Sequence, residues 1–199
     1  MQQRTVGILV FDGVEVLDFC GPFEVFATTI MPGVDPLDEA ARPFRVLTIA
    51  ERANPVCCSG GLLVQPHHTI ENHPPLDILV VPGGYGTRRE ANNTRLLDWI
   101  AAQDERTELT TSVCTGAFLL AARGILDGRP ATTHWASIER LRTTHPGVEV
   151  REQVRFVDDG RVLTSAGVSA GIDMALHVVS RLLGGDVAST TARRMEYEG

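Results

Sequence analysis

Short apolar runs alternate along this chain with longer segments of helical period. That alternation admits essentially one class of fold, a parallel β-sheet covered by helices. The runs at 6–11, 44–49, 77–81, 109–113, 131–133 and 162–165 are the expected strands. Most read as continuous Val/Ile/Leu stretches, as strands buried on both faces must. Helical spacing follows at 17–27, 94–103, 115–123, 135–143, 170–183 and 186–196. Segments 62–65 and 148–156 read as small extra strands or hairpin arms, and the Pro- and Asp-containing loop 31–42 is the one candidate insertion. With 199 residues and neither repeat nor polar linker, the expectation is a single α/β domain over 1–199.

Composition narrows the function. Eighteen basic against twenty-five acidic residues leave a net charge of −7, which argues against nucleic acid or an anionic membrane as partner. All eighteen basic residues are arginine, so Schiff-base chemistry and a Walker-type phosphate loop are excluded. Cys20, Cys57, Cys58 and Cys114 are too irregularly spaced for a disulfide framework or a zinc site. His67, His68 and His73 share a Pro-rich loop without further ligand spacing, so no metal is expected. The run from Val6 is too short for a signal peptide and no stretch is long enough to span a bilayer, giving a cytoplasmic expectation.

In an open α/β sheet, ligands bind beyond the carboxyl ends of the strands. The sharpest signal there is Ser112-Val113-Cys114-Thr115-Gly116, where a strand passes almost directly into a helix. This is the geometry of a nucleophile elbow with cysteine in the serine's place. Beside the helix N-terminus the Cys114 thiolate would be stabilised, although a small cysteine filling a core gap gives the same sequence. Asp18, between Leu17 and Phe19, is a candidate buried acid with a raised pKa, or else a helix-capping residue. In Pro82-Gly83-Gly84-Tyr85-Gly86 the glycines either bring backbone N–H groups to a site, as half an oxyanion hole, or make a tight turn. His134 closes the run 131–133 and would emerge on the same sheet edge as Cys114, with Trp135 beside it. Asp173 lies in an apolar helix, as a structural hydrogen-bonder or a back-wall residue. Glu15, Glu24, Arg88-Arg89 and Arg193-Arg194 read as solvated.

Taken together, the glycine loop, the Cys114 turn, Ala131-Thr132-Thr133-His134-Trp135 and the segment from Ser165 through Gly167 to Asp173 resemble the ThiJ/PfpI superfamily, from about Val6 to Tyr197. Within it the likeness is to isocyanide hydratases and to the amidotransferase-like domain of some AraC-type regulators. The resemblance implies a flavodoxin-like three-layer sandwich with a mostly parallel central sheet, a homodimer, a small-molecule substrate, and no organic cofactor or metal. By position, Cys114 matches the nucleophile, Asp18 the acid touching its sulfur, Thr115 the threonine of isocyanide hydratases, and Gly84 the glycine whose amide faces the site. Tyr85, His134, Trp135, Gly167 and Asp173 are the expected pocket. Protease-like members carry histidine directly after the cysteine, where this chain has Thr115, and the late His-x-Glu pair of amidotransferases is absent.

The expected reaction is hydration of an isocyanide to an N-substituted formamide. Cys114 attacks to give a thioimidate, Asp18 acts as general acid, and the Thr115 hydroxyl orients Asp18 or water. Alternatives are glyoxalase- or deglycase-like work on methylglyoxal with His134 shuttling protons, or a non-catalytic sensor whose low-pKa cysteine oxidises. Ending at 198–199, the chain is expected to lack the Pro-rich tail and the helix-turn-helix domain that similar proteins carry, which argues against a DNA-binding regulator.

Overall fold

A computed structural model describes residues 2–35 and 37–198; positions 1, 36 and 199 of the expected domain and loop lie outside the described residues. The elements run β1 (Arg4–Leu9), α1 (Val16–Thr28), β2 (Phe44–Ala50), β3 (Val56–Cys57), β4 (Leu63–Val64), β5 (His68–Thr69) and β6 (Ile78–Val81). There follow α2 (Thr87–Glu90), α3 (Thr94–Asp104), β7 (Leu109–Val113), α4 (Ala117–Ala121), β8 (Pro130–Ala131), α5 (Ile138–Thr144) and β9 (Glu149–Val150). Then come β10 (Phe156–Asp159), β11 (Val162–Ser165), α6 (Ala170–Leu183) and α7 (Gly185–Arg194).

Among the described residues seven strands form the main sheet, in the order β10-β11-β7-β6-β1-β2-β5. Only β10 runs antiparallel to its neighbour. The chain leaves β1 toward β2 and later leaves β6 toward β7 in the opposite direction. With both crossovers right-handed, α1 and α3 lie on opposite faces of the sheet. One helical layer is α1, α6 and α7, and the other holds α2, α3 and α4. Every residue of β6 is fully buried, as its uninterrupted Ile-Leu-Val-Val requires. Local signals set the helix ends: the Asn93 side chain caps α3 by accepting from the Leu96 amide at 3.3 Å, and Gly184, at φ 98°, ends α6.

The expected strand at 131–133 does not join the main sheet. It is the short β8, paired in parallel with β9 in a separate two-stranded sheet. Pro130 has no N–H for a ladder, and the Thr132 amide donates to the Thr164 hydroxyl at 2.8 Å instead. The expected helices at 115–123 and 135–143 each begin as a 3₁₀ turn, Cys114–Gly116 and Trp135–Ser137, with α4 and α5 following. The arm at 62–65 is β4, in an antiparallel hairpin with β3. No helix of the described residues is long and apolar enough to cross a membrane.

Candidate active site

The order of the sheet brings four loops together. Strands β11, β7, β6 and β1 are consecutive neighbours running in parallel, so the segments after them emerge on one edge. Between β1 and β6 the direction of winding reverses, which is where an α/β sheet opens a crevice.

Cys114 leaves β7 with φ 58°, a left-handed conformation that a non-glycine residue adopts only when its surroundings enforce it. Its amide donates to the Ala166 carbonyl at 3.1 Å, and its own carbonyl accepts the Thr133 hydroxyl at 2.7 Å. Two residues on, Gly116 lies so close to β6 that a Cβ there would collide with the Val81 carbonyl. The turn is thus pinned on both sides.

Asp18, in the first turn of α1, is completely buried. One carboxyl oxygen accepts the Gly83 amide at 3.0 Å and the other accepts the Val168 amide at 3.2 Å, and the carboxyl interacts electrostatically with the Cys114 side chain. Val168 also stands at positive φ, 55°. Burial raises the Asp18 pKa to about 6; the Gly83 amide, the Cys114 thiol and the Val168 amide pull it back, while the Glu15 charge adds to the rise.

The thiol moves against expectation. Burial, then the Asp18 charge, push Cys114 up to about 12, although the amide and hydroxyl of Thr115 favour the thiolate. The buried pair therefore resists holding two negative charges at once, and at neutral pH it shares one proton.

The other expected residues are distributed unevenly. Thr115 does not orient Asp18: besides facing the sulfur, its hydroxyl accepts the Gly84 amide at 3.0 Å and the Thr87 hydroxyl at 3.1 Å. The Gly84 amide, thus engaged, is not free to meet an oxyanion; its neighbour Gly83 supplies the amide that holds Asp18. A cavity of about 290 Å³ opens over Cys114, with Gly84, Tyr85, Thr115 and His134 in its wall. The His134 Nδ1 accepts the Ala136 amide at 3.3 Å. Trp135 does not line the cavity and is 80% exposed. Gly167 backs the His134 ring, where a Cβ would collide with it, rather than lining the cavity itself. Asp173 lies outside, tied to Tyr197 Oη at 2.8 Å and to Arg155 Nε at 2.6 Å.

Sequence reasoning missed Gly83, Val168, Glu15, Arg88 and Arg140. The first two act through backbone amides, which every residue but proline carries, so only their positions after β6 and β11 pointed to them. Glu15 and Arg88, read as solvated, line the cavity, and so does Arg140. His67 and His73 are held structurally, by the Thr48 amide at 3.0 Å and the Trp99 indole at 2.9 Å. Among the described residues no group of three or more His, Cys, Asp and Glu side chains is placed to hold a metal ion.

The model of the DJ-1/PfpI family matches residues 4–181. An isonitrile hydratase from Pseudomonas putida is 37% identical over 192 residues, 96% of this chain and 78% of that protein. The transcriptional regulator GbdR of Pseudomonas aeruginosa is 29% identical over 155 residues; the match covers 78% of this chain but only 42% of the regulator. A ThiJ/PfpI family protein from Pseudomonas syringae superimposes with a TM-score of 0.87 at 30% identity, over 100% of this chain and 77% of that one. DJ-1β of Drosophila melanogaster shares the fold, with a TM-score of 0.82 at 18% identity over all of both chains.

Proposed function

The chain belongs to the DJ-1/PfpI family, and on that premise we propose that it hydrates isocyanides to N-substituted formamides, with Cys114 as nucleophile and Asp18 carrying the proton. The observation behind this reading is the buried carboxyl of Asp18 on the sulfur of a residue held at positive φ. Such a pair can add a proton and a thiolate to one small electrophile without a histidine base. The similarity to an isonitrile hydratase (isonitrile and isocyanide name one group) supports the same chemistry.

In this mechanism Asp18 takes the thiol proton as sulfur bonds to the terminal carbon of R–N≡C. It returns the proton to that carbon, giving the thioimidate R–N=CH–S–Cys114. Water then adds across the C=N bond, oxygen to carbon and one proton to nitrogen by way of Asp18. Collapse of the tetrahedral adduct breaks the C–S bond, restores the thiol and releases R–NH–CHO. The Thr115 amide, which favours negative charge on sulfur, stabilises the thiolate as it forms and as it departs.

Incubation of the purified protein with an aryl isocyanide should yield the formamide, and Cys114→Ala should reduce turnover at least about a thousandfold. Equal rates for the two proteins would refute the assignment. A second reading, glyoxalase-like work on methylglyoxal, draws on His134. With Nδ1 accepting a backbone amide, the neutral ring carries its proton on Nε2, as a proton shuttle would need. Cys114-dependent lactate formation in the absence of isocyanide turnover would favour it. Oxidation of Cys114 without turnover of isocyanides or glyoxals would instead favour the sensor alternative.

A further inference from the structure

The cavity wall holds two positive charges to which the reaction above gives no role. Arg88, in α2, and Arg140, in α5, both line it together with Cys114. Among the described residues neither guanidinium forms an ion pair, and the one acid in the wall, Glu15, pairs with neither. Arg140 is half-buried; its Nε is sealed from solvent without a hydrogen-bond partner, and its Cζ lies 4.0 Å from the centre of the Phe118 ring. Phe118 belongs to α4, the helix that follows the Cys114 turn, so this stacking fixes the guanidinium relative to the nucleophile. The groups also sense one another: burial and the Arg88 charge lower the Arg140 pKa, while negative charge on Cys114 raises it.

Holding two like charges in one cavity, one of them partly desolvated, is unfavourable until an anion enters. A guanidinium fork is shaped to receive a carboxylate. We infer that the substrate of this cavity carries a carboxylate, bound by Arg88 and Arg140 while Cys114 attacks the electrophilic carbon elsewhere in the molecule. The inference rests on the reading of this cavity as the place where Cys114 meets its substrate, and it narrows the isocyanides to isocyano acids.

Two alkylating agents of nearly equal size, iodoacetate and iodoacetamide, test the charge preference without any assumption about turnover. Each is displaced at carbon by the Cys114 sulfur with loss of iodide and of the thiol proton, and peptide mass mapping separates this site from the other cysteines. The ratio of the iodoacetate rate to the iodoacetamide rate should exceed that of N-acetylcysteine by about tenfold. Arg140→Met and Arg88→Met should each lower the ratio by at least about threefold. A ratio in the unsubstituted protein equal to that of N-acetylcysteine would overturn the inference, whatever the variants do.

Turnover of 4-isocyanobenzoate and of its methyl ester separates the two readings. Preference for the acid in kcat/KM supports both. An iodoacetate preference with neither isocyanide consumed would overturn the hydratase reading and keep the anion site. Equal kcat/KM for acid and ester, with no preference in alkylation, would overturn the anion site and keep the hydratase.

Discussion

Asp18 is held in an environment that favours its neutral form, and this makes it visible in stability as well as in catalysis. Its folded-state pKa of about 6 lies above the ordinary value of 3.8. Between these two values the native protein keeps a proton that the unfolded chain has released. Stability contributed by this group is therefore full below pH 3.8, falls as pH rises through the window, and is lost above about 6. The loss is about 3 kcal/mol if the whole shift is expressed. Urea midpoints measured from pH 3.5 to 7 should show this decline, and Asp18→Asn, which cannot titrate, should remove it from the difference between the two proteins. An identical pH dependence in both would place the carboxyl in solvent. At this scale the sequence was legible where a side chain was out of place, as with an acid between Leu17 and Phe19 or a cysteine after a buried strand. It was silent on Arg140, whose position over Phe118 is a product of tertiary packing between α5 and α4.

Among the elements, the turn between β7 and α4 sets the geometry of the site, and Gly116 tests it. At this position the backbone is already helical, φ −57°, so alanine would gain about 1 kcal/mol of helix propensity. Its methyl group would also meet the Val81 carbonyl, which belongs to backbone and cannot swing aside. Overpacking of this kind costs about 1–3 kcal/mol, and a backbone neighbour puts it at the upper end. The clash wins: Gly116→Ala should lower stability by about 2 kcal/mol in a denaturant titration. A stabilised variant would mean that β6 and the turn are not in contact. The strand-to-helix turn was readable because the apolar run ends at Val113 and helical spacing resumes almost at once, with Cys114 and Gly116 between. The run 131–133 was misread because periodicity records which residues want burial, not which sheet receives them.

At the level of the whole molecule, burial on both faces of the central strands should show in exchange. The amides of Ile78–Val81 in β6 lie at the heart of the sheet, between β1 and β7. They should exchange only through global unfolding, whereas the two-residue edge strand β5 should exchange through local opening at a free energy lower by several kcal/mol. Uniform protection across the sheet in hydrogen exchange would contradict this. The layered class was legible from the alternation of apolar runs and helical segments. The strand order was not, since pairing in a parallel sheet is decided by contacts distant in sequence. That order nevertheless carries a consequence. The two oxygens of one carboxyl group are fastened to amides from loops that follow different strands, β6 and β11. The acid is thus locked in place as the chain folds, and its own ordering adds little to the entropy lost when a substrate arrives. Structures of the site with and without an occupant should therefore superimpose at Asp18, Gly83 and Val168.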